Sequence, residues 1–199
     1  MRGFLGKLHK DDPLVHHHMD DEGLQYSYPF VQCKIIEGDA YIVGINMGCE
    51  IVRTLFETLE ILTLGTETYR IIDRSVQFNG DGFKELNQCL KYTFLTPWLA
   101  LNEKNYNKYQ RYGSLAARKK MLERILIGNI LSMSKGLGYT VSLPINARIL
   151  KLKEVNTSLK GNPMLGFLGE FEVNFDIPDY LGIGKSVSRG FGTVKKIKE

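Results

Sequence analysis

Gly182-Ile183-Gly184-Lys185-Ser186-Val187-Ser188-Arg189-Gly190-Phe191-Gly192 is the most specific stretch of this 199-residue chain. Gly184-Lys185-Ser186 invites a phosphate-loop reading. That motif needs its leading glycine five residues before Gly184, where Asp179 stands. A dinucleotide fingerprint fails as well, because Val187 holds the place of the third glycine and no long helix follows. What remains is a loop whose bare backbone can approach phosphates, flanked by Lys185 and Arg189. The plainer reading is a glycine-rich connection in a tight β fold. Phe191 either stacks on a base or fills the core. Thr193 to Lys198 closes the chain as a short strand, so the loop stands where a helix would join two strands.

Working outward, Ile145–Val155 and Leu165–Ile177 read as strands separated by Gly161, Asn162 and Pro163. Ser114 caps a helix over about Leu115–Ser134. Lys91–Leu101, with Thr96, Pro97 and Trp98, reads as extended, and Asn102–Tyr112 as a polar, tyrosine-bearing segment. In the first half, Phe4, Leu5 and Leu8 give Arg2–His9 a helical spacing that Asp11, Asp12 and Pro13 break. Tyr26–Glu37 and Ala40–Asn46 read as strands about a Gly38–Asp39 turn. A helix runs from Gly48 to about Leu62, and Tyr69–Phe78 is another strand. The halves are thus α-β-β-α-β and β-α-β-β-loop-β, both close to the β-α-β-β-α-β plan. The fold class is α+β, with tandem ferredoxin-like (RRM-like) domains at 1–88 and 89–199. The first lacks its opening strand, which would leave its sheet short. A single larger α+β domain is the alternative.

Composition excludes classes more than it names one. Hydrophobic residues make up 43% of the chain, enough for a core. The net charge of +4 permits a polyanion partner without demanding one. Cys33, Cys49 and Cys89 are odd in number and far apart, so no disulfide framework takes them all. Reduced thiols in a cytoplasmic protein are the plain reading. No stretch resembles a signal peptide or a membrane span.

All four histidines, His9, His16, His17 and His18, lie in the first 18 residues. With Asp20, Asp21 and Glu22 they could ligate a metal, or they could be a solvated loop. The third reading is general acid–base work, since histidine titrates near neutrality. With Tyr26, Tyr28 and Lys7 nearby, that chemistry suits metal-free RNA cleavage, in which the RNA supplies its own 2′-OH. Arg118, Lys119, Lys120 and Arg124 share the long helix, the commoner meaning of which is a solvated face. Lys104, Lys108, Arg111 and tyrosines 106, 109 and 112 enlarge the patch, and cations interleaved with aromatics suit RNA.

The glycine loop through Thr193-Val194 resembles that of the repeat-associated mysterious protein (RAMP) superfamily, the RNA-binding proteins of CRISPR systems. Arg2-Gly3-Phe4-Leu5-Gly6, His16-His17-His18, Tyr26-Ser27-Tyr28-Pro29-Phe30-Val31-Gln32 and Thr96-Pro97-Trp98-Leu99-Ala100-Leu101-Asn102 look like one branch of its CRISPR-RNA processing endoribonucleases. The resemblance covers nearly the whole chain. It implies a tandem ferredoxin-like fold and metal-independent cleavage of CRISPR precursor RNA within the repeat by 2′-OH attack, leaving a 2′,3′-cyclic phosphate. It places the catalytic role on His16 and His18, with His17 beside them, Tyr26 or Tyr28 as the supporting tyrosine and Lys7 as a candidate lysine. Gly182, Gly184, Lys185, Arg189, Gly190 and Gly192 would hold RNA. It implies no cofactor and no metal. The partners are CRISPR repeat RNA, a second copy in a homodimer, or a CRISPR effector complex. The alternative function is a non-catalytic RNA-binding subunit of that complex. The family carries a strand before the Arg-Gly-Phe helix that is not present here, in line with the missing first strand.

Overall fold

The structure, a computed structural model, describes residues 28–80 and 84–198. The helix expected over Arg2–His9, the histidine run, Lys7 and Tyr26 lie outside the described residues. The chain divides into two compact units, Met1–Gly80 with Ser188–Gly190, and Asp81–Val187 with Phe191–Glu199.

In the first unit β1 (Val31–Ile36) and β2 (Asp39–Gly44) form an antiparallel hairpin. Its two-residue turn is Glu37-Gly38, both at positive φ (53° and 97°), the geometry that matches strand twist. The turn thus falls one residue earlier than the sequence suggests. Helix α1 (Gly48–Thr58) lays Ile51 and Leu55 onto Val31 and Cys33, with Ile42 and Leu59 at the margin. The apolar stripe predicts a helix to Leu62, but the helix stops at Thr58. Leu59 is already extended, and Ile61–Leu64 forms β3, paired with β4 (Glu67–Arg70) across a turn at Gly65. Arg74 donates from one guanidinium nitrogen to Phe56 O (2.5 Å) and Leu59 O (2.9 Å), closing the helix carbonyls that the early stop leaves open. The strand expected over Tyr69–Phe78 ends at Arg70, with one further bond from Ile71 N to Glu60 O (2.8 Å) just before β3 begins. Among the described residues this unit holds two separate two-stranded sheets and no four-stranded one.

Lys34, in the middle of β1, is 1% exposed. Its Nζ donates to Gln32 Oε1 at 2.8 Å, and the Gln32 amide donates to Pro29 O. Burial pulls its pKa from 10.5 down to about 7, against the opposing pull of the Cys33 sulfur.

The second unit contains β5 (Lys84–Phe94), α2 (Glu103–Arg111), α3 (Leu115–Gly136), β6 (Ala147–Leu159), β7 (Asn162–Asp176) and β8 (Val194–Lys196), and a 3-10 turn (Val187–Arg189) starts on its last residue before the Ser188–Gly190 excursion. Its antiparallel sheet has the order β6-β7-β5-β8. Counting the four strands in chain order, that is 2-3-1-4, the ferredoxin-like arrangement. The β6–β7 hairpin turns on Lys160-Gly161, again at positive φ, so Asn162 and Pro163 lie inside β7 rather than in the turn. Phe167, Phe171, Val173 and Phe175 alternate along β7, all fully buried, and the core of this unit also includes Leu122, Leu126, Ile130 and Met133 of α3. Helix α2 is the element the sequence misses. Asn102 caps it, accepting from Asn105 N at 2.8 Å. Tyr109 anchors it, with its ring edge-on to Phe167 and its hydroxyl donating to Glu154 Oε1 at 2.7 Å. Burial first, then the Glu154 carboxylate, raises the phenol pKa.

Glu85 fixes the connection between α3 and β6. Its carboxylate accepts from the Tyr139 hydroxyl, Ser142 N and Leu143 N, and these bonds, the Tyr139 one foremost, hold its pKa at about 2. No helix among the described residues is long and apolar enough to cross a membrane.

Candidate nucleic-acid interface

The glycine loop is anchored at its base. Gly182 bridges Thr193, Ile183 N donates to Gly192 O (2.8 Å), and Val194 N donates to Leu181 O (2.9 Å). A second set of bonds joins the loop to Leu95-Thr96-Pro97. Gly192 N donates to Pro97 O (2.9 Å), Thr193 N to Thr96 Oγ1 (2.9 Å), and Leu95 N to Thr193 O (2.8 Å). Trp98, the next residue, is fully buried, stacks on Phe94 at 5.3 Å and donates its indole N–H to Asn129 Oδ1 at 3.0 Å. The Thr96-Pro97-Trp98 motif is thus the seat of the loop, a role the sequence does not disclose.

Two of the glycines are explained by this packing. Gly184 sits at φ 92°, and a Cβ there would fall 2.7 Å from Trp98 Nε1. Gly192 sits at φ 64°, where a Cβ would fall 2.0 Å from Ile183 O. Gly190 is also at positive φ, 89°. Ile183 and Val187 are buried, Phe191 is half-buried, and Lys185 and Arg189 are exposed. The side chains that face solvent on this loop are therefore its two cations.

The four cations in the first half of α3 divide by direction. Arg118 reaches back to the core side. It lies over the Tyr109 ring at 4.9 Å, pairs with Glu154 at 3.3 Å and donates to Tyr112 O at 3.1 Å. Lys119 Nζ donates to Leu150 O (3.1 Å) and Ile149 O (3.4 Å). These carbonyls lie where the β6–β7 register shifts between Ile149 and Lys151, and Glu123 accepts from Ile149 N at the same place. A bulge leaves ladder groups unpaired, and the helix supplies their partners. Lys119→Met keeps the apolar stem and removes the donors, so we expect a loss of about 1–2 kcal/mol of stability. Urea denaturation measures it, and an unchanged midpoint would contradict this role.

Lys120 and Arg124 are exposed. With Asn105, Lys108 and Tyr112 from the α2 side, and Ala117, Met121 and Ile125 of α3, they line an open groove of about 390 Å³. None of these eight residues is acidic. Of the three tyrosines, Tyr109 is core, Tyr112 lines the groove and Tyr106 is exposed. Tyr28 is buried at 9% exposure. None of the three cysteines is in a disulfide; Cys33 is buried and the other two are exposed.

A ferredoxin-like sheet that carries a seated glycine-rich loop before its last strand fits the RAMP-like class. The Cas6b N-terminal domain model matches residues 1–81 and the Cas6b C-terminal domain model residues 66–197. The chain belongs to the Cas6b family. It is 43% identical to a protein whose crystal structure is described as Cas6b, with a TM-score of 0.90 over 98% of this chain and 89% of that one. A second crystal structure, of CRISPR RNA processing endoribonuclease Cas6b, is 41% identical, with a TM-score of 0.75 over 98% and 88% of the chains. An uncharacterised protein of Methanocaldococcus jannaschii is 46% identical over 138 residues, 69% of this chain and 93% of its own.

Proposed function

We propose that this protein is a metal-independent endoribonuclease that cuts CRISPR precursor RNA within each repeat. The observation that carries this reading is the 41% identity, over nearly the whole chain, to a Cas6b described as a CRISPR RNA processing endoribonuclease. In this mechanism the 2′-OH attacks the adjacent phosphorus, the bond to the 5′-oxygen breaks, and the products are a 2′,3′-cyclic phosphate and a 5′-OH. His16 and His18 serve as base and acid, with His17 beside them, and Lys7 supplies positive charge to the phosphorane. Tyr26 or Tyr28 supports the histidines, and the burial of Tyr28 suits positioning rather than contact with RNA. The loop of Gly182, Gly184, Lys185, Arg189, Gly190 and Gly192 holds RNA. Its support is physical: a firmly seated backbone that turns Lys185 and Arg189 to solvent. On α3 the exposed Lys120 and Arg124 take phosphate, while Arg118 and Lys119 hold the helix to its neighbours.

Two substrates test the mechanism. A repeat RNA should be cut at the same rate with chelator as without it. The same RNA with a 2′-deoxy sugar at the cleaved position should bind and stay intact, because the nucleophile is gone. A requirement for divalent cation would refute metal independence, and cleavage of the deoxy analogue would refute 2′-OH attack.

A further inference from the structure

The α2–α3 groove and the glycine loop are joined along α3 by residues that share one side of the helix. Lys120, Arg124 and Gly128 follow one another four apart, and beside them run Ala117, Met121, Ile125 and Asn129. Asn129 is the residue that holds the Trp98 indole, and a Cβ on Gly184 would lie 3.1 Å from its Oδ1. The first stripe thus starts at the groove, and the second ends under the loop, about 13 Å away along the helix axis.

Gly128 is the unexplained residue on this path. It lies inside a 22-residue helix and is exposed. A Cβ built on it meets nothing within 4 Å among the described residues, so no packing in the unit calls for glycine. Glycine is a poor helix former, and a bare position on an open face lets an outside backbone come close to the helix. The side chains of Lys108, Lys120 and Arg124 on the approach have no hydrogen bond or ion pair among the described residues. The half-buried Tyr112 offers an aromatic ring among these cations. Cations that follow a backbone, with an aromatic ring between them, suit a single strand with unstacked bases better than a rigid duplex.

We propose that the groove lined by Lys108, Tyr112, Lys120 and Arg124 is a second RNA subsite. It holds a single-stranded stretch of the same RNA, which crosses the helix at Gly128 on its way to the glycine loop. This rests on the RNA-processing reading above and extends it to a site that does no chemistry.

The test measures affinity for a single-stranded RNA of repeat sequence over a range of salt concentrations. Lys108→Ala, Lys120→Ala and Arg124→Ala combined should weaken binding and lower the slope of log affinity against log salt by about 2, the value for three single-strand phosphates. Gly128→Gln should weaken binding while its melting temperature holds or rises, since glutamine is the better helix former. Circular dichroism of the triple variant checks that it folds. Wild type that binds and cuts RNA beside a triple variant with unchanged affinity and slope would overturn the groove alone. A defect seen with duplex RNA but not with the single strand would overturn it too. Wild type that binds no repeat RNA would overturn the RNA reading of the whole protein, and the subsite with it.

Discussion

His16→Ala combined with His18→Ala is expected to slow cleavage of a repeat RNA by about 10³–10⁴-fold while leaving its affinity nearly unchanged. An imidazole with a pKa near 6.5 is present in both forms at neutral pH, so one histidine can take the 2′-OH proton while another donates to the leaving oxygen. The pH–rate profile of the wild type should be bell-shaped. The variant lacking the base loses the acidic limb, and the variant lacking the acid loses the alkaline one, which assigns the two roles. Affinity stays because the residues proposed to hold RNA, Lys185, Arg189, Lys120 and Arg124, are untouched. A double variant that cuts at the wild-type rate would show that these histidines are not the catalytic pair.

The second large effect is on stability and comes from Lys34. An unfolded lysine titrates at 10.5 and this one at about 7. Between those values the unfolded chain binds a proton that the folded chain does not, so stability rises with pH across that window. At pH 7 the buried amine costs about 4 kcal/mol relative to an uncharged side chain, and by pH 9 about 2 kcal/mol of that is recovered. Lys34→Met removes the titration. It also leaves the Gln32 oxygen without this donor, which costs about 1–3 kcal/mol at every pH. The expected result is a variant at least as stable as wild type at pH 7, with its advantage shrinking by about 2 kcal/mol at pH 9. Denaturant curves at the two pH values measure it. Curves that shift in parallel would mean that Lys34 keeps an ordinary pKa in the fold.

The second unit was far more legible in the sequence than the candidate site. The Ser114 cap and a long apolar stripe locate α3, and period-two hydrophobicity locates β6 and β7. Asn102–Tyr112 conceals α2 because it holds no aliphatic residue, only tyrosines three apart. Its single anchor, Tyr109, gains its meaning from Phe167 and Glu154, far away in the sequence. At Leu59–Leu64 one apolar run serves a helix end and then a strand, and no glycine or proline marks the change, since Gly65 comes only after the strand. The cations of α3 look equivalent as letters. What separates Lys119 from Lys120 is a register shift in β6 that no local pattern reveals. As letters, the glycines signal only the freedom they give a loop. At Gly184 and Gly192 the fold needs them for a tighter reason: neighbouring atoms occupy the space a side chain would fill.

The chain has one tryptophan, and it is the residue beneath that loop. Trp98 is dry, stacked and hydrogen-bonded to Asn129 while Gly184 lies against it. The protein therefore carries its own optical gauge of loop seating. Indole emission reports one site, with no second tryptophan to dilute it and no dye to attach. A loop that lifts lets water reach the ring, and a loop that stays down keeps the spectrum of a buried chromophore.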